Sequence, residues 1–269
     1  MESPIVTLTT DWGTKDFFSG MVKGRLYSYI PGVQVVDITH NIEPYNLVYA
    51  AFVVKNACMN FPKGTIHIID VNTFESKDQG FVVVENNGQY YICTDNGLPS
   101  LVFGEDWDSV TSIKVFQDSN FYTFAAYNLF CKIAMLLASD TPLSELGEKE
   151  ESLKTCTGLS YIKEGDKLRT YVMYIDNYGN AYLNIKYEDF LAILNHRHFK
   201  LTIGNSAVSE ISLSYADKQH VVNRENSVMK QLVLTVSATG HLQLAMSQAS
   251  VQQLLGLQVK SPADFTFFE

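Results

Sequence analysis

Residues 5–24, IVTLTTDWGTKDFFSGMVKG, constrain the fold more than any other stretch. The β-branched apolar run of Ile5, Val6 and Leu8, with threonines between, predicts a buried strand. It stops at Thr10-Asp11-Trp12-Gly13, and Phe17, Phe18, Met21, Val22 and Leu26 then recur at helical spacing, with Thr14 or Asp16 placed to cap the helix. Asp11 and Asp16 thus fall in the turn after a first strand, where open α/β sheets bind ligands. The turn has one glycine and neither a Gly-x-Gly-x-x-Gly nor a Walker pattern, which argues against a phosphate cradle. Carboxylates only accept hydrogen bonds, so they suit a ribose diol or an ammonium group. A capped, solvated turn would use the same residues.

The pattern then repeats. Residues 32–38 and 64–71 read as second and third strands, ending in His40 and in Asp70, Asn72 and Thr73. A helical apolar pattern over 46–61 lies between them. Residues 81–85 and 89–93 flank Asn86-Asn87-Gly88, a hairpin signal, and run into the polar turn Asp95-Asn96-Gly97. Residues 124–138 form an alanine-rich helical stretch. Strands alternating with helices predict a doubly wound α/β domain over 1–150. The charge run Glu148–Glu151 reads as the link between domains. Beyond it, short strand-like runs (168–175, 199–203, 232–236, 241–246) separated by turns, with one helix near 188–194, predict a smaller β-barrel over 160–269.

Composition narrows the function. The net charge of −9 argues against a nucleic-acid surface. No apolar run approaches the roughly 18 residues of a membrane span, and no signal peptide precedes the first strand. The four cysteines form no C-x-x-C pair and read as thiols of a reducing compartment, so a cytoplasmic location is expected. His67 reads as a core histidine, His40 as bonded to loop backbone, and His196 and His198 as loop residues without metal-ligand spacing.

In the second domain, residues 174–185, YIDNYGNAYLNI, are dense in aromatics and amides. Such a segment can stack a purine on a tyrosine and read its edge with an asparagine, or simply turn a hairpin at Asn-Tyr-Gly-Asn.

TTDWGTKDFFSGMVKG, VVDITHNIEPY, FPKGTIHII, TDNGL, PLSELG and IDNYGNAYLNI, in this order, resemble the S-adenosylmethionine (SAM) hydrolase, or hydroxide adenosyltransferase, family, which shares its fold with the SAM-dependent fluorinase and chlorinase. The resemblance runs from Ile5 to about Ala249. It implies an N-terminal α/β domain, a C-terminal β-barrel and a homotrimer whose SAM sites lie at subunit interfaces. It places Asp11 at the ribose hydroxyls, Asp16 near the methionine end, Tyr45 and Tyr182 near the nucleoside, Tyr178 stacked on adenine and Asn180 bonded to it. Asp95 and Asn96 stand as a further site wall, and Ala238 in the methionine-binding turn.

The implied chemistry is displacement at a sulfonium-activated carbon, with no metal or cofactor besides SAM itself. Hydrolases of the family orient water with an Asp–Arg–His set. Here the family's aspartate, usually followed by Pro-Gly, aligns best with Asn72, two residues after Asp70. The nearest basic residue to the expected arginine is Lys77. The Thr-Phe-His-Gly motif reads Thr123-Phe124-Ala125-Ala126. Asp70, Asn72 and Lys77 are therefore the candidate catalytic residues. Three alternatives remain beside the hydrolase: a SAM- or adenosine-binding protein without turnover, a halogenase, and a nucleoside-cleaving enzyme that never meets SAM. The short hairpin turn at 86–89 lacks the fluorinase insertion, which disfavours the halogenase.

Overall fold

A computed structural model describes residues 3–74, 79–117, 119–120, 123–215 and 232–269. The chain forms two compact units, Met1–Gly158 and Leu159–Glu269. Lys77 lies outside the described residues.

In the first unit the strands are β1 (Ile5–Thr10), β2 (Gln34–Thr39), β3 (Ile66–Asp70), β4 (Phe81–Asn86), β5 (Gln89–Thr94), β6 (Ser109–Ile113) and β7 (Gly147–Lys149). They form one sheet in the order β2-β1-β3-β5-β4-β6-β7. The first four are parallel, and β4, β6 and β7 extend the sheet antiparallel. Helices α1 (Phe18–Tyr29) and α4 (Cys131–Ala138), with the short α5 (Leu143–Leu146), cover one face around Leu8, Leu26, Ile68, Phe130 and Leu146. Helices α2 (Leu47–Ala57) and α3 (Leu98–Phe103) cover the other around Val54, Ile69, Tyr91 and Val102. Near-continuous apolar strands follow from burial on both faces. This is the doubly wound sheet that the strand–helix alternation predicts.

Local chemistry explains most boundaries. Asn46 caps α2 by accepting from Tyr49 N, at 3.0 Å. Asn87 and Gly88, both at positive φ, make the two-residue turn between β4 and β5. Helix α1 is a correction: neither Thr14 nor Asp16 caps it, and Phe17 at its N-cap makes no side-chain cap bond. The charge run is another. Its start, Gly147–Lys149, is edge strand β7 rather than a linker, with glycine required because a Cβ at 147 would run into the Ser112 carbonyl. Charged side chains suit such an edge. Ahead of α4, Ala126–Phe130 winds as a π turn, closed by a bond from Cys131 N to Ala126 O.

The second unit is a single antiparallel sheet, β8 (Ile162–Glu164), β9 (Lys167–Ile175), β10 (Ala181–Lys186), β11 (His198–Ile203), β12 (Ser206–Val208), β13 (Leu232–Val236), β14 (His241–Met246) and β15 (Pro262–Phe268). The main path runs β12-β11-β15-β9-β10-β14-β13 and rolls into a nearly closed barrel, with β8 paired to β9. Inward residues such as Leu168, Leu183, Leu201, Leu244 and Phe265 alternate with exposed ones around helix α6 (Tyr187–Leu194), whose Phe190 fills the core. Helix α7 (Val251–Leu255) follows β14. Among the described residues no helix is long and apolar enough to cross a membrane.

Candidate functional site

Two separate clusters carry the predicted residues, one in each unit. In the first unit, β1 pairs with β2 on one side and β3 on the other, so the carboxyl ends of β1 and β3 bracket the switch in strand order. A cavity of about 310 Å³ opens there, lined by residues including Asp11, Tyr45, Asp70, Asn72, Thr73 and Ala125. Asp11 Oδ2 accepts from Tyr45 N at 3.0 Å and from Asn72 N at 3.1 Å. Both donors have left-handed backbones, φ 67° at Tyr45 and 51° at Asn72. That conformation is uncommon for a bulky side chain, so the carboxylate holds two loops in geometry they would not adopt alone. Among the described residues no donor meets its Oδ1.

Asp70 ends β3 with 5% of its surface exposed. Burial pushes its carboxyl up to about 7; the Thr73 hydroxyl and Trp12 indole oppose the rise, and the Asp11 charge adds to it. Thr73 Oγ1 is nonetheless buried without completing a well-formed hydrogen bond. The wall is aromatic. Trp12 stacks on His40 at 5.8 Å and meets Phe124 edge-on at 5.1 Å, and Phe18 meets Phe124 at 5.1 Å. His40 Nδ1 bonds Thr10 Oγ1 at 2.7 Å rather than loop backbone, while Nε2 stands 3.2 Å from Asp37 Oδ1 off a bonding direction. His67 is a core histidine, held by Thr7 at 2.7 Å.

The other predictions in this unit separate. Asp16 is exposed and does not line the cavity. Asp95 accepts from Lys154 N at 2.9 Å. Asn96 is buried beneath the site, giving Nδ2 to the carbonyls of Val71 and Asn72, both at 3.1 Å, and so props the loop instead of facing the cavity.

In the second unit a cavity of about 720 Å³ is lined by residues including Asp176, Tyr178, Asn180, Tyr182, Tyr215 and Ser250. Asp176 organises it. Oδ1 accepts from Tyr178 N and Asn180 N, each at 2.9 Å, and Oδ2 from Asn180 Nδ2 at 2.9 Å, with Gln243 Nε2 and Tyr182 OH farther off at 3.4 and 3.5 Å. The tight turn needs Gly179, at φ 78°, where a Cβ would also run into Ser250. The ring of Tyr178 is left 79% exposed and Asn180 only 8%. Burial, with the Asp176 charge second, pushes the Tyr182 phenol up to about 12, so it is neutral at ordinary pH.

Ala238 sits elsewhere. It is the exposed tip of the β13–β14 hairpin, at the end of β14 opposite the Met246–Ser250 segment, ~20 Å away at strand spacing. Sequence reasoning missed Asp176, although an aspartate two residues before a Tyr-Gly turn is an Asx-turn signature. It also missed the Trp12–Phe18–Phe124 wall, which no local signal announces. Among the described residues no three His, Cys, Asp or Glu side chains gather as a metal site requires.

Comparison with known proteins gives these clusters a context. Residues 6–147 match the SAM hydroxide adenosyltransferase N-terminal domain, and residues 170–264 the corresponding C-terminal domain. An (R)-S-adenosyl-L-methionine hydrolase of Methanocaldococcus jannaschii is 29% identical over 195 residues, 69% of this chain and 68% of the relative. A fluorinase of Nocardia brasiliensis is 24% identical over 283 residues, 92% of each. The crystal structure of an uncharacterized conserved protein from Thermotoga maritima superposes with a TM-score of 0.82 at 22% identity, covering 97% of this chain and 99% of that one, a likeness of fold. With both domain matches in order and spanning most of its length, the chain belongs to the SAM hydroxide adenosyltransferase family.

Proposed function

We propose that the chain hydrolyses SAM, in the (R)-sulfonium form named for its relatives, to adenosine and L-methionine. The oxygen of water attacks C5′ in line with sulfur. The C5′–S bond breaks with its electron pair going to sulfur, and a proton of the water passes to Asp70. Methionine leaves as a neutral thioether, so no acid is needed and no cofactor enters.

The observation that carries this reading is Asp70: a carboxyl buried in one cavity with Asp11, which burial pushes up to about 7. A base poised near neutrality is what proton transfer from water requires. The left-handed Asn72 supports the same reading. In the family's Asp-Pro-Gly the third residue is glycine, and φ 51° at Asn72 is glycine-like backbone. Asp70-Val71-Asn72 therefore matches that motif with its aspartate intact, and Asn72 is reassigned from catalysis to the turn. Ala125 lines the cavity where the family carries histidine. The Thr73 hydroxyl, buried beside Asp70 without completing a well-formed hydrogen bond, is the group suited to hold the water instead. Asp11 Oδ1 takes a ribose hydroxyl, Tyr178 stacks on adenine, and Asn180 bonds its edge.

The missing histidine favours a second reading, SAM binding without turnover. Incubation with SAM, resolving adenosine, methionine and residual SAM by chromatography, decides between them. Equal amounts of adenosine and methionine, lost in Asp11→Ala and Asp70→Asn, are expected. Binding with no turnover above the uncatalysed rate would establish the second reading. The assembly proposed is the homotrimer implied by the resemblance. Mixing inactive Asp11→Ala and Tyr178→Ala chains should restore part of the activity if a site draws on two copies, and restore none if each chain is self-sufficient.

A further inference from the structure

Three residues flank Asp11 in the turn after β1, and His40 holds all of them. Thr10 Oγ1 meets His40 Nδ1 at 2.7 Å. The Trp12 indole stacks on the imidazole, with centroids 5.8 Å and planes 13° apart. Gly13 N donates to the His40 carbonyl at 2.6 Å. The ring itself has one orientation. Asp37, paired with Lys23 at 2.5 Å, can only accept, so the His40 Nε2 that faces it at 3.2 Å carries hydrogen. Nδ1 therefore accepts from the Thr10 hydroxyl.

His40 is buried and does not line the cavity, whereas Asp11 and Trp12 do. Asp11 spends its carboxylate on Tyr45 N and Asn72 N and its own N–H on Asp70 O at 3.4 Å, so its aim depends on how its neighbours are held. We infer that His40 is a positioning residue: its ring, anchored by Thr10 and stacked on Trp12, aims the Asp11 carboxylate and the Trp12 indole into the Asp70 cavity. Its effect on turnover rests on the hydrolase reading given above. Its effect on Asp11 and the two loops that Asp11 holds does not.

Two variants of the full-length chain separate the ring from its hydrogen bond. His40→Asn keeps a polar group within reach of Thr10 but has no ring. His40→Phe combined with Thr10→Val keeps a ring for Trp12 and removes both polar partners together, leaving neither unsatisfied. In His40→Asn, amide exchange should quicken at Tyr45 and Asn72, the two partners of Asp11. Turnover of SAM should fall by about 10²-fold, the cost of a small misplacement at a reacting centre. The rise in rate through about 7 should also move to higher pH, because a displaced indole no longer opposes what burial does to Asp70. The Phe–Val pair should recover most of each effect. Unchanged exchange with an unchanged pH profile in a folded His40→Asn overturns the inference, as does failure of the Phe–Val pair to recover either. If His40→Asn does not fold, fluorescence decides. With Trp107→Phe leaving Trp12 the sole tryptophan, emission should be quenched as the imidazole gains a proton, and the quench should vanish in the Phe–Val pair. A flat titration overturns the stack and the inference with it. Absence of SAM turnover in the wild type would remove the hydrolase reading alone, since exchange and emission still decide the role of His40.

Discussion

Asp11 and Asp176 do the same job by opposite routes. Each carboxylate accepts two backbone N–H groups and thereby shapes a cavity. The donors to Asp11 lie 34 and 61 residues away, on loops leaving two other elements, whereas those to Asp176 lie two and four residues away within one turn. The first unit thus builds its cavity only when the whole sheet is assembled, and the second carries a turn that nearly closes on itself. A staple across the fold shapes a cavity at a strand-order switch but leaves strain at Tyr45; a local turn shapes its cavity with little strain beyond one glycine.

The sharpest test of this contrast is the reacting centre of the first unit. Asp70→Asn should lower turnover by roughly 10²–10⁴, and should abolish a rise in wild-type rate as pH increases through about 7, measured by adenosine release. The same substitution should stabilise the fold. Burial pushes the folded carboxyl up to about 7, well above the ordinary carboxylate range near 3.8, so the native state holds the extra proton and wild-type stability is lost as pH rises between those values. Asp70→Asn should therefore gain up to about 4 kcal/mol over wild type near pH 8, fading toward pH 4, by urea unfolding. A variant no more stable at pH 8 than wild type would show Asp70 to be better solvated than its burial indicates.

Next in size, Asp11→Ala removes two bonds to a charged acceptor, each worth about 1.5–3 kcal/mol, and should cost at least ~3 kcal/mol overall. Hydrogen exchange should quicken at Tyr45 and Asn72 together. Asp176→Ala should quicken exchange only around Tyr178–Asn180, and a loss spread across the second unit would break the comparison. Gly179→Ala, forced to positive φ against Ser250, should cost roughly 1–3 kcal/mol and weaken adenosine binding by calorimetry. The smallest effect is expected of Asn72→Gly, which keeps the left-handed backbone: turnover within a few-fold and stability within about 1 kcal/mol of wild type. A collapse of turnover there would restore Asn72 as a catalytic residue.

The same contrast explains what the sequence made legible. The Tyr178–Asn180 turn was readable because the bonds that close it, from Tyr178 N and Asn180 N to Asp176, lie within four residues. Hydrophobic alternation fixed the strand order of neither sheet but did reveal both unit types, since burial on two faces and burial on one leave different periodicities. The joint use of Asp11 by Tyr45 and Asn72 was unreadable: positive φ at a tyrosine is imposed by a partner far along the chain, not by its own propensity. The left-handed backbone of Asn72 was unreadable for the same reason, since its identity suggested a diminished aspartate and gave no sign of a positive φ. The run at Glu148 looked like a linker because an edge strand with solvated faces has a linker's composition.

The π turn at Ala126–Phe130 has a consequence for how the Asp70 cavity can change. It follows directly on Thr123, Phe124 and Ala125, which form one wall. A π turn accommodates one residue more than an α turn. Loss of a single residue from that segment would restore α geometry and swing the wall by about 100° about the helix axis, the angle of one residue step. A new face would then be presented to the cavity, with the buried side of α4 unaltered. Chain length at this point acts as a ratchet on the site, moving it in whole clicks where substitution moves it by degrees.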